Sequence, residues 1–208
     1  MRIHIIRHGM TEANRKRLYC GATDLPLCEE GRRELGSLKA QIVYPAADAY
    51  ISSGMARASE TLRIIYGREP DAVIGEFREM DFGDFEMKSH DELAGAPEYE
   101  RWLGDISGVA CPNGESLADF ESRIAAGIQK LTEAVWESAV VICHGGVVVS
   151  IMERLFPGRR NYYEWQPGNG RGYTVELASG NAELTGTGLT GAKINGAGPI
   201  GARLIAEI

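Results

Sequence analysis

The sequence predicts an α/β fold: a three-layer sandwich with a mainly parallel central sheet flanked by helices and a small cap region over the ligand site. Two observations predict this class. Short β-branched runs alternate with amphipathic segments of helical period along most of the chain. Two of these runs end in a histidine followed by glycine, at His8 and His144. Because parallel sheets bind ligands at the carboxyl ends of their strands, we expect both histidines in one site.

The first part of the chain alternates between strands and helices. Pro45 and Gly67 lie just past the ends of the two helices, as expected of helix-ending residues. Apolar residues recur at helical spacing within each helix. The predicted elements are strands at 3–6, 48–52 and 72–75, a helix at 29–43 with Leu35, Leu38 and Ile42 on one face, and a helix at 55–66 with Met55, Leu62 and Ile65.

The second part begins with a weakly patterned stretch at 82–112, interpreted as the cap, with one short helix near 99–103. The strongest helical pattern follows at 116–136. Its apolar face is predicted to comprise Leu117, Phe120, Ile124, Ile128, Leu131 and Val135. A strand at 139–143, a helix at 147–156 and a pair of strands at 173–177 and 182–185 complete the pattern.

The length of 208 residues fits a single domain, which we assign to residues 1–185. Residues 186–208 form a glycine-rich C-terminal extension with little charge before Arg203. A flexible or loosely packed extension is expected from this composition. Leu204 and Ile205 are candidates to dock on the body of the domain or on a second subunit, and a homodimer stays open.

Composition narrows the function classes. A formal net charge of -7 disfavours a nucleic-acid partner, since phosphate backbones require a broad basic surface. No apolar run approaches the roughly 18 residues needed to cross a bilayer, so no membrane partner is expected. The first apolar run is also too short for a signal peptide. The four cysteines lack CxxC spacing and are interpreted as free thiols in a reducing cytoplasm.

The first candidate site segment is Arg7-His8-Gly9 at the end of the first strand. A neutral imidazole is nucleophilic, and histidine ordinarily titrates near 6.5. The planar donors of Arg7 match phosphate oxygens, and Gly9 allows close approach of the backbone. The segment therefore indicates attack on the phosphorus of a small-molecule phosphate ester.

Three later segments complete the constellation. Arg57 lies near the start of a helix, where backbone N–H groups are free to bind anions. His144-Gly145-Gly146 repeats this design at another helix start, and Glu79 is a candidate proton donor to the leaving oxygen. The histidines show no metal-ligand spacing such as HxH or HExxH, so neither a metal nor a cofactor is predicted.

In order and spacing, these segments resemble the histidine phosphatase superfamily, also called the phosphoglycerate-mutase-like family. The resemblance covers about residues 1–180 and also rests on Gly21, Asp24-Leu25-Pro26-Leu27, Asp81-Phe82-Gly83 and Gly114-Glu115-Ser116. Among phosphatases, the α-ribazole phosphatase branch is the most similar, although broad-specificity members share these segments.

The resemblance implies a role for each site residue. His8 would carry the phosphoryl group, Glu79 would act as acid and then as base, and the phosphoryl oxygens would be held by Arg7, Arg57 and His144. Supporting substrate contacts are implied for Asn14 and Gly145, with Thr11 orienting the loop around His8 and Gly21 at the substrate entrance.

The sequence departs from the family pattern at three positions. Met10 replaces a usual glutamate or glutamine, Gly54 a common proline or aspartate, and Met87 a common glycine. Met87 is expected to fill space in the substrate pocket.

The resemblance leaves the reaction open. Only about thirty residues separate Gly83 from Gly114, whereas cofactor-dependent mutases usually carry a longer insertion there. The short insertion favours a metal-independent phosphomonoesterase. A phosphoglycerate-type phosphomutase and a non-catalytic module that binds phosphate esters are the alternatives.

Overall fold

The computed structural model describes residues 1–178, 191–193 and 199–208 and has a seven-stranded sheet. Four strands run parallel to one another, β5 pairs antiparallel with β1, and β7 pairs antiparallel with β5 and with β6. The strand order is β3-β2-β4-β1-β5-β7-β6. The strands are β1 (Arg2–Arg7), β2 (Ala49–Ser52), β3 (Ala72–Val73), β4 (Ser138–Cys143), β5 (Gly172–Leu177), β6 (Gly191–Lys193) and β7 (Pro199–Glu207).

Helices connect and cover the strands. Each of the two longest begins after a side-chain cap, Cys28 for α2 and Ser116 for α6, while α3 ends at Gly67 in the left-handed conformation. The helices are α1 (Glu12–Lys16), α2 (Glu29–Gln41), α3 (Ala56–Tyr66), α4 (His90–Leu93), α5 (Pro97–Gly104), α6 (Leu117–Glu133) and α7 (Gly145–Leu155). Short 3₁₀ segments lie at Gly75–Phe77, Gly83–Phe85 and Tyr162–Trp165.

The sheet buries a different set of side chains on each face, as the alternation along strands requires. On one face, Ile51 and Val141 belong to the core cluster that includes α6 and α7. On the other, Tyr50 and Val140 pack with Ala58 and other residues of α3. The predicted three-layer sandwich with a mainly parallel sheet is confirmed.

Most predicted elements are present within a few residues of their predicted bounds. The predicted core residues of α3 are buried, but Leu38 and Ile42 are only half-buried. Val135 is 97% exposed, so its place on the apolar face was wrong. The reason is that α6 ends at Glu133 and Ala134 has extended backbone, which breaks the helical period before Val135.

The C-terminal extension differs from the prediction at its end. Residues 199–207 form β7, and Leu204 lies opposite Val175 of β5, so this part is an ordered strand of the sheet rather than a loose tail. The pairing satisfies the outer edge of β5. The predicted strand at 182–185 and the proposed boundary at 185/186 lie outside the described residues.

The cap region contains α4, α5 and an aromatic cluster. Tyr99 and Trp102 are buried, belong to the main core cluster and contact the ring of Tyr19. The Tyr19 and Tyr99 hydroxyls are hydrogen-bonded at 2.7 Å. The cap is thus packed firmly against the chain that leads into the loop at 21–23. Within the described residues, no helix is both long and apolar enough to cross a membrane.

Candidate active site

The two histidines meet because their strands are neighbours. β1 and β4 pair in parallel, with Arg7 opposite Cys143, and the backbone N–H of His8 donates to the Cys143 carbonyl at 2.9 Å. The His8 and His144 rings consequently lie edge to face, with centroids 5.0 Å apart. Both side chains are buried, at 4% and 0% exposure. The expectation of one shared site is met.

The hydrogen bonding of His8 fixes its tautomer. Nδ1 lies 2.6 Å from the Gly9 carbonyl oxygen, which can only accept, so Nδ1 carries the proton. In the neutral ring, the lone pair is therefore on Nε2. Burial, followed by the positive charge of Arg57 and then of Arg7, holds the pKa of His8 well below its usual value, although the Gly9 bond opposes this. His8 is thus a neutral imidazole with a free nitrogen.

His144 has the opposite tautomer. Arg57 Nε donates to its Nδ1 at 3.1 Å, and Ser53 Oγ lies 2.8 Å from its Nε2. Because the guanidinium can only donate, Nε2 carries the proton and donates to Ser53. Burial, followed by the proximity of His8 and Arg57, holds the pKa of His144 well below its usual value. The ring is therefore a neutral donor whose Nε2–H is held by Ser53 Oγ.

Arg57 is a buried cation, 1% exposed, fixed by neutral groups. Besides the bond to His144, its Nη1 and Nη2 donate to the carbonyls of Thr23 and Gly21, each at 2.9 Å. These bonds leave further N–H groups for an anion, because a guanidinium has five.

The loop that holds Arg57 is itself organised by Glu86. Glu86 Oε1 accepts from the N–H groups of Gly21 (2.8 Å), Ala22 (3.0 Å) and Phe82 (3.1 Å), and Oε2 accepts from Thr23 (3.2 Å). A Cβ at position 21 would lie 1.5 Å from the Met80 carbonyl oxygen, so only glycine fits there. The backbone of Gly21 thus supports Arg57. A direct substrate contact by Gly21 remains a prediction.

Arg7, next to His8 in the chain, is the second arginine of the site. Its Nη1 donates to the Pro167 carbonyl at 2.9 Å, whereas its Nε is buried and has no partner in the described part of the chain. Such an unpaired buried donor is costly unless a ligand satisfies it. The unpaired Nε of Arg7 is therefore suited to an oxygen of a bound anion.

Asn169 also supports this segment. Its Nδ2 donates to the His8 carbonyl at 2.9 Å, which fixes the backbone there.

Glu79 lies at the amino terminus of α7. Its Oε2 accepts from the Gly146 N–H at 2.9 Å, and Oε1 accepts from the Met80 N–H at 3.0 Å. Glu79 also borders a cleft of 390 Å³, whose lining includes Asp24, Arg78 and Arg123. The cleft therefore lies beside a carboxyl group that can exchange a proton.

Three further predicted residues support the pocket. Thr11 and Asn14 form a capping box at the start of α1: Thr11 N–H and Oγ1 both donate to Asn14 Oδ1 at 3.0 Å. A Cβ on Gly145 would lie 2.9 Å from Gln166 Nε2 and 3.4 Å from Arg7 Nε, so glycine allows α7 to begin beside the guanidinium. The structure places Thr11 at the N-cap and Asn14 in the first turn of α1, shortly after His8, and the contact of Thr11, Asn14 and Gly145 with substrate stays a prediction.

The backbone explains one departure from the family pattern, at Gly54, and is unfavourable to another, at Met87. Gly54 has φ of 87°, which glycine adopts readily. Met87 has φ of 59°, a conformation that favours the glycine usual there, and its side chain is 39% exposed. The expectation that Met87 fills space in the substrate pocket stays a prediction. No structural reason is evident for Met10.

Sequence reasoning assigned no role to several supporting residues: Ser53, Glu86, Asn169 and Arg123. Ser53 and Glu86 each lie next to a position at which the sequence departs from the family pattern, Gly54 and Met87, but this signal indicated no function for either of them. Asn169 and Arg123 had no such signal. Their contacts depend on chain segments more than forty residues away, to His8 and to the carbonyls of Glu76, Arg78 and Glu79.

Comparison with known proteins finds matches over most of the chain. The model of the histidine phosphatase superfamily (branch 1) matches residues 3–190. The adenosylcobalamin/alpha-ribazole phosphatase of Salmonella typhimurium is 32% identical over 160 residues, which are 74% of this chain and 79% of that protein.

Solved structures show the same likeness. A putative alpha-ribazole-5'-P phosphatase from Escherichia coli superposes with a TM-score of 0.75 at 30% identity, covering 84% of this chain and 89% of the other. A phosphoglycerate mutase from Thermus thermophilus gives a TM-score of 0.65 at 31% identity, covering 84% and 91%. Phosphatases and a mutase are thus both similar to this chain.

Proposed function

Because the chain belongs to the histidine phosphatase superfamily, in which its matches support a phosphatase, we propose that it hydrolyses a small phosphate monoester through a phosphohistidine on His8, without a metal. The observation that carries the proposal is the bond from His8 Nδ1 to the Gly9 carbonyl. It leaves Nε2 as a nucleophile in a pocket with two guanidinium groups. A neutral nucleophile among fixed cations suits attack on an anionic ester.

In the first step, His8 Nε2 attacks phosphorus and the bond to the ester oxygen breaks. Arg7 and Arg57 stabilise the charge on the phosphoryl oxygens, and His144 joins them when its Nε2–H turns from Ser53 Oγ to one of these oxygens. The protonated Glu79 carboxyl gives its proton to the leaving oxygen, so the alcohol departs neutral. The enzyme then holds a phosphohistidine and an ionised Glu79.

In the second step, water enters the place that the alcohol has left. The water oxygen attacks phosphorus while Glu79 takes a proton from the water, and the bond from phosphorus to Nε2 breaks. Inorganic phosphate leaves, while His8 returns to its neutral form and Glu79 to its protonated form. The arrangement of Glu79 beside the cleft supports this exchange of roles.

For the substrate, we propose an α-ribazole phosphate-like ester handled in the cytoplasm. Relatives named as alpha-ribazole phosphatases support this choice, together with the greater structural similarity to such a protein than to the mutase. The organic part of the ester would lie in the 390 Å³ cleft beside Glu79.

The test is phosphate release from a panel of small esters, including α-ribazole phosphate and 3-phosphoglycerate, with a chelator present. We expect wild-type turnover of one ester far above the rest and a loss of at least about a thousandfold in His8→Ala. His90→Ala serves as a matched control, because His90 is exposed and lies in the cap. A requirement for added metal would contradict the mechanism.

Two other outcomes would indicate the alternatives. Exchange of phosphate between positions of phosphoglycerate that outruns phosphate release would identify a mutase, to which the Thermus thermophilus structure is similar. Binding of an ester with no turnover by fresh protein would identify a binding module. Either result would overturn the proposal that the protein hydrolyses a phosphate monoester.

A further inference from the structure

The loop that carries Glu79 is fastened by one side chain of α6. Arg123 Nη1 donates to the carbonyls of Glu76 (2.8 Å) and Arg78 (2.9 Å), and Nη2 donates to that of Glu79 (3.2 Å). Three backbone carbonyls of the segment 76–79 are therefore held by a single guanidinium. One of them belongs to the proposed acid itself.

Glu115 fastens the far side of the same loop. Its two oxygens receive a bidentate pair from Arg123, Nε to Oε1 at 2.8 Å and Nη2 to Oε2 at 2.7 Å. Oε2 also accepts the Asp81 N–H at 2.9 Å. Arg123 and Glu115 thus hold the main chain on both sides of Glu79, at 76–79 and at 81.

From this geometry we infer that Arg123, paired with Glu115, is a positioning residue that sets the Glu79 carboxyl for proton transfer; the inference rests on the proposed function. Proton transfer needs heavy atoms within about 2.6–3.2 Å, so a small shift of the loop removes it. The planar fork of arginine matches a carboxylate and several carbonyls together, which a lysine ammonium does not.

Two further contacts join α6 to the segment 76–79. Gly127 of α6 lies so close to the segment that an added Cβ would be 2.8 Å from the Phe77 ring. One turn further on, Lys130 forms an ion pair with Glu76. This second contact joins the same helix to the same segment but reaches none of the carbonyls that Arg123 holds. Lys130 is therefore a matched control for Arg123.

The experiment compares two esters that differ in their need for an acid. p-Nitrophenyl phosphate has a leaving group that departs without a proton, whereas an alkyl ester such as glycerol 3-phosphate depends on the acid. We expect Arg123→Met to lower kcat/KM for the alkyl ester at least about tenfold more than for the aryl ester, since general acids contribute about 10²–10⁴-fold. Glu79→Gln should show the same bias more strongly, and Arg123→Lys should recover part of it.

Glu115→Gln covers the case in which Arg123→Met does not fold, because it keeps the size of the side chain and weakens the clamp. It should show the same bias in smaller measure. Lys130→Met should show none. Equal losses on both esters in the folded variants, or no loss, would overturn the positioning role. Inactivity of the wild type toward these two esters and toward every ester of the substrate panel would instead overturn the proposed function, and this inference with it.

Discussion

At the scale of single residues, the site depends on two neutral histidines of opposite tautomer. A carbonyl accepts from His8 Nδ1, whereas a guanidinium donates to His144 Nδ1. One ring therefore offers a lone pair on Nε2 and the other an N–H. Both rings must remain uncharged among two arginines, and the cost of protonating them in the folded state links the site to stability.

The unfolding free energy should fall as pH falls below about 6.5. The pKa values of His8 and His144 lie well below that in the folded protein, so the unfolded chain binds more protons in this range. Below pH 6.5, each histidine should add up to about 1.4 kcal/mol per pH unit to the slope of the unfolding free energy against pH. Above about pH 7.5, neither histidine should add to this slope. Urea unfolding between pH 8 and 5.5, without phosphate, measures it.

Two variants check the source of this slope. His8→Asn should remove its share of the pH dependence, whereas His90→Asn, at an exposed position in the cap, should leave the profile as in the wild type. An unfolding free energy of the wild type that is constant from pH 7.5 to 5.5 would contradict the claim that His8 and His144 are buried as neutral rings.

Met87→Gly should stabilise the protein by up to about 1 kcal/mol. The left-handed conformation at Met87 costs a side-chain-bearing residue about 1–2 kcal/mol, and glycine removes this cost. Part of the gain is offset because glycine loses more backbone entropy on folding. Lys88→Gly, next in the chain and without positive φ, should instead destabilise. Urea unfolding of the three proteins decides the matter, and a destabilised Met87→Gly would refute the argument.

At the scale of elements, sequence periodicity placed the strands and long helices because burial dictates it. The ends of two strands located His8 and His144, and segments shared with the family located Arg57 and Glu79, while their roles stay predictions. Sequence periodicity could not supply the loop contacts. The Glu86 carboxylate joins the loop at 21–23 to Phe82, and this bond set depends on two loops meeting in three dimensions.

Glu86→Gln should weaken the binding of inorganic phosphate by about tenfold. An amide keeps one acceptor oxygen but loses the charge that strengthens each N–H bond, so the carbonyls that hold Arg57 are less well fixed. Competitive inhibition by phosphate measures the effect. In contrast to Arg123→Met, both esters should lose activity equally.

The control for Glu86 is Glu92→Gln, which alters a carboxylate that caps α4 and does not touch the loop at 21–23. Its phosphate affinity should match the wild type. An unchanged inhibition constant in Glu86→Gln would show that the loop positions Arg57 without this carboxylate.

At the scale of the whole molecule, the chain ends inside its own sheet. The composition of the extension suggested a loose tail, because glycine and small residues dominate it. Its last strand nonetheless buries Ala202 completely and pairs with β5, which in turn pairs with β1 beneath His8. Composition averaged over the segment could not reveal a partner strand some thirty residues earlier.

Removal of residues 199–208 should therefore lower the unfolding free energy by at least about 3 kcal/mol, the scale of losing one or two core side chains. The truncation exposes one edge of β5 and the buried Val175 and Leu177. Arg203→Ala is the control: its ion pair with Glu176 lies at a side chain 65% exposed, so its loss should cost under about 1 kcal/mol. Urea unfolding of both variants measures the difference, and equal stability of truncated and full-length protein would show that β7 does not hold the sheet together.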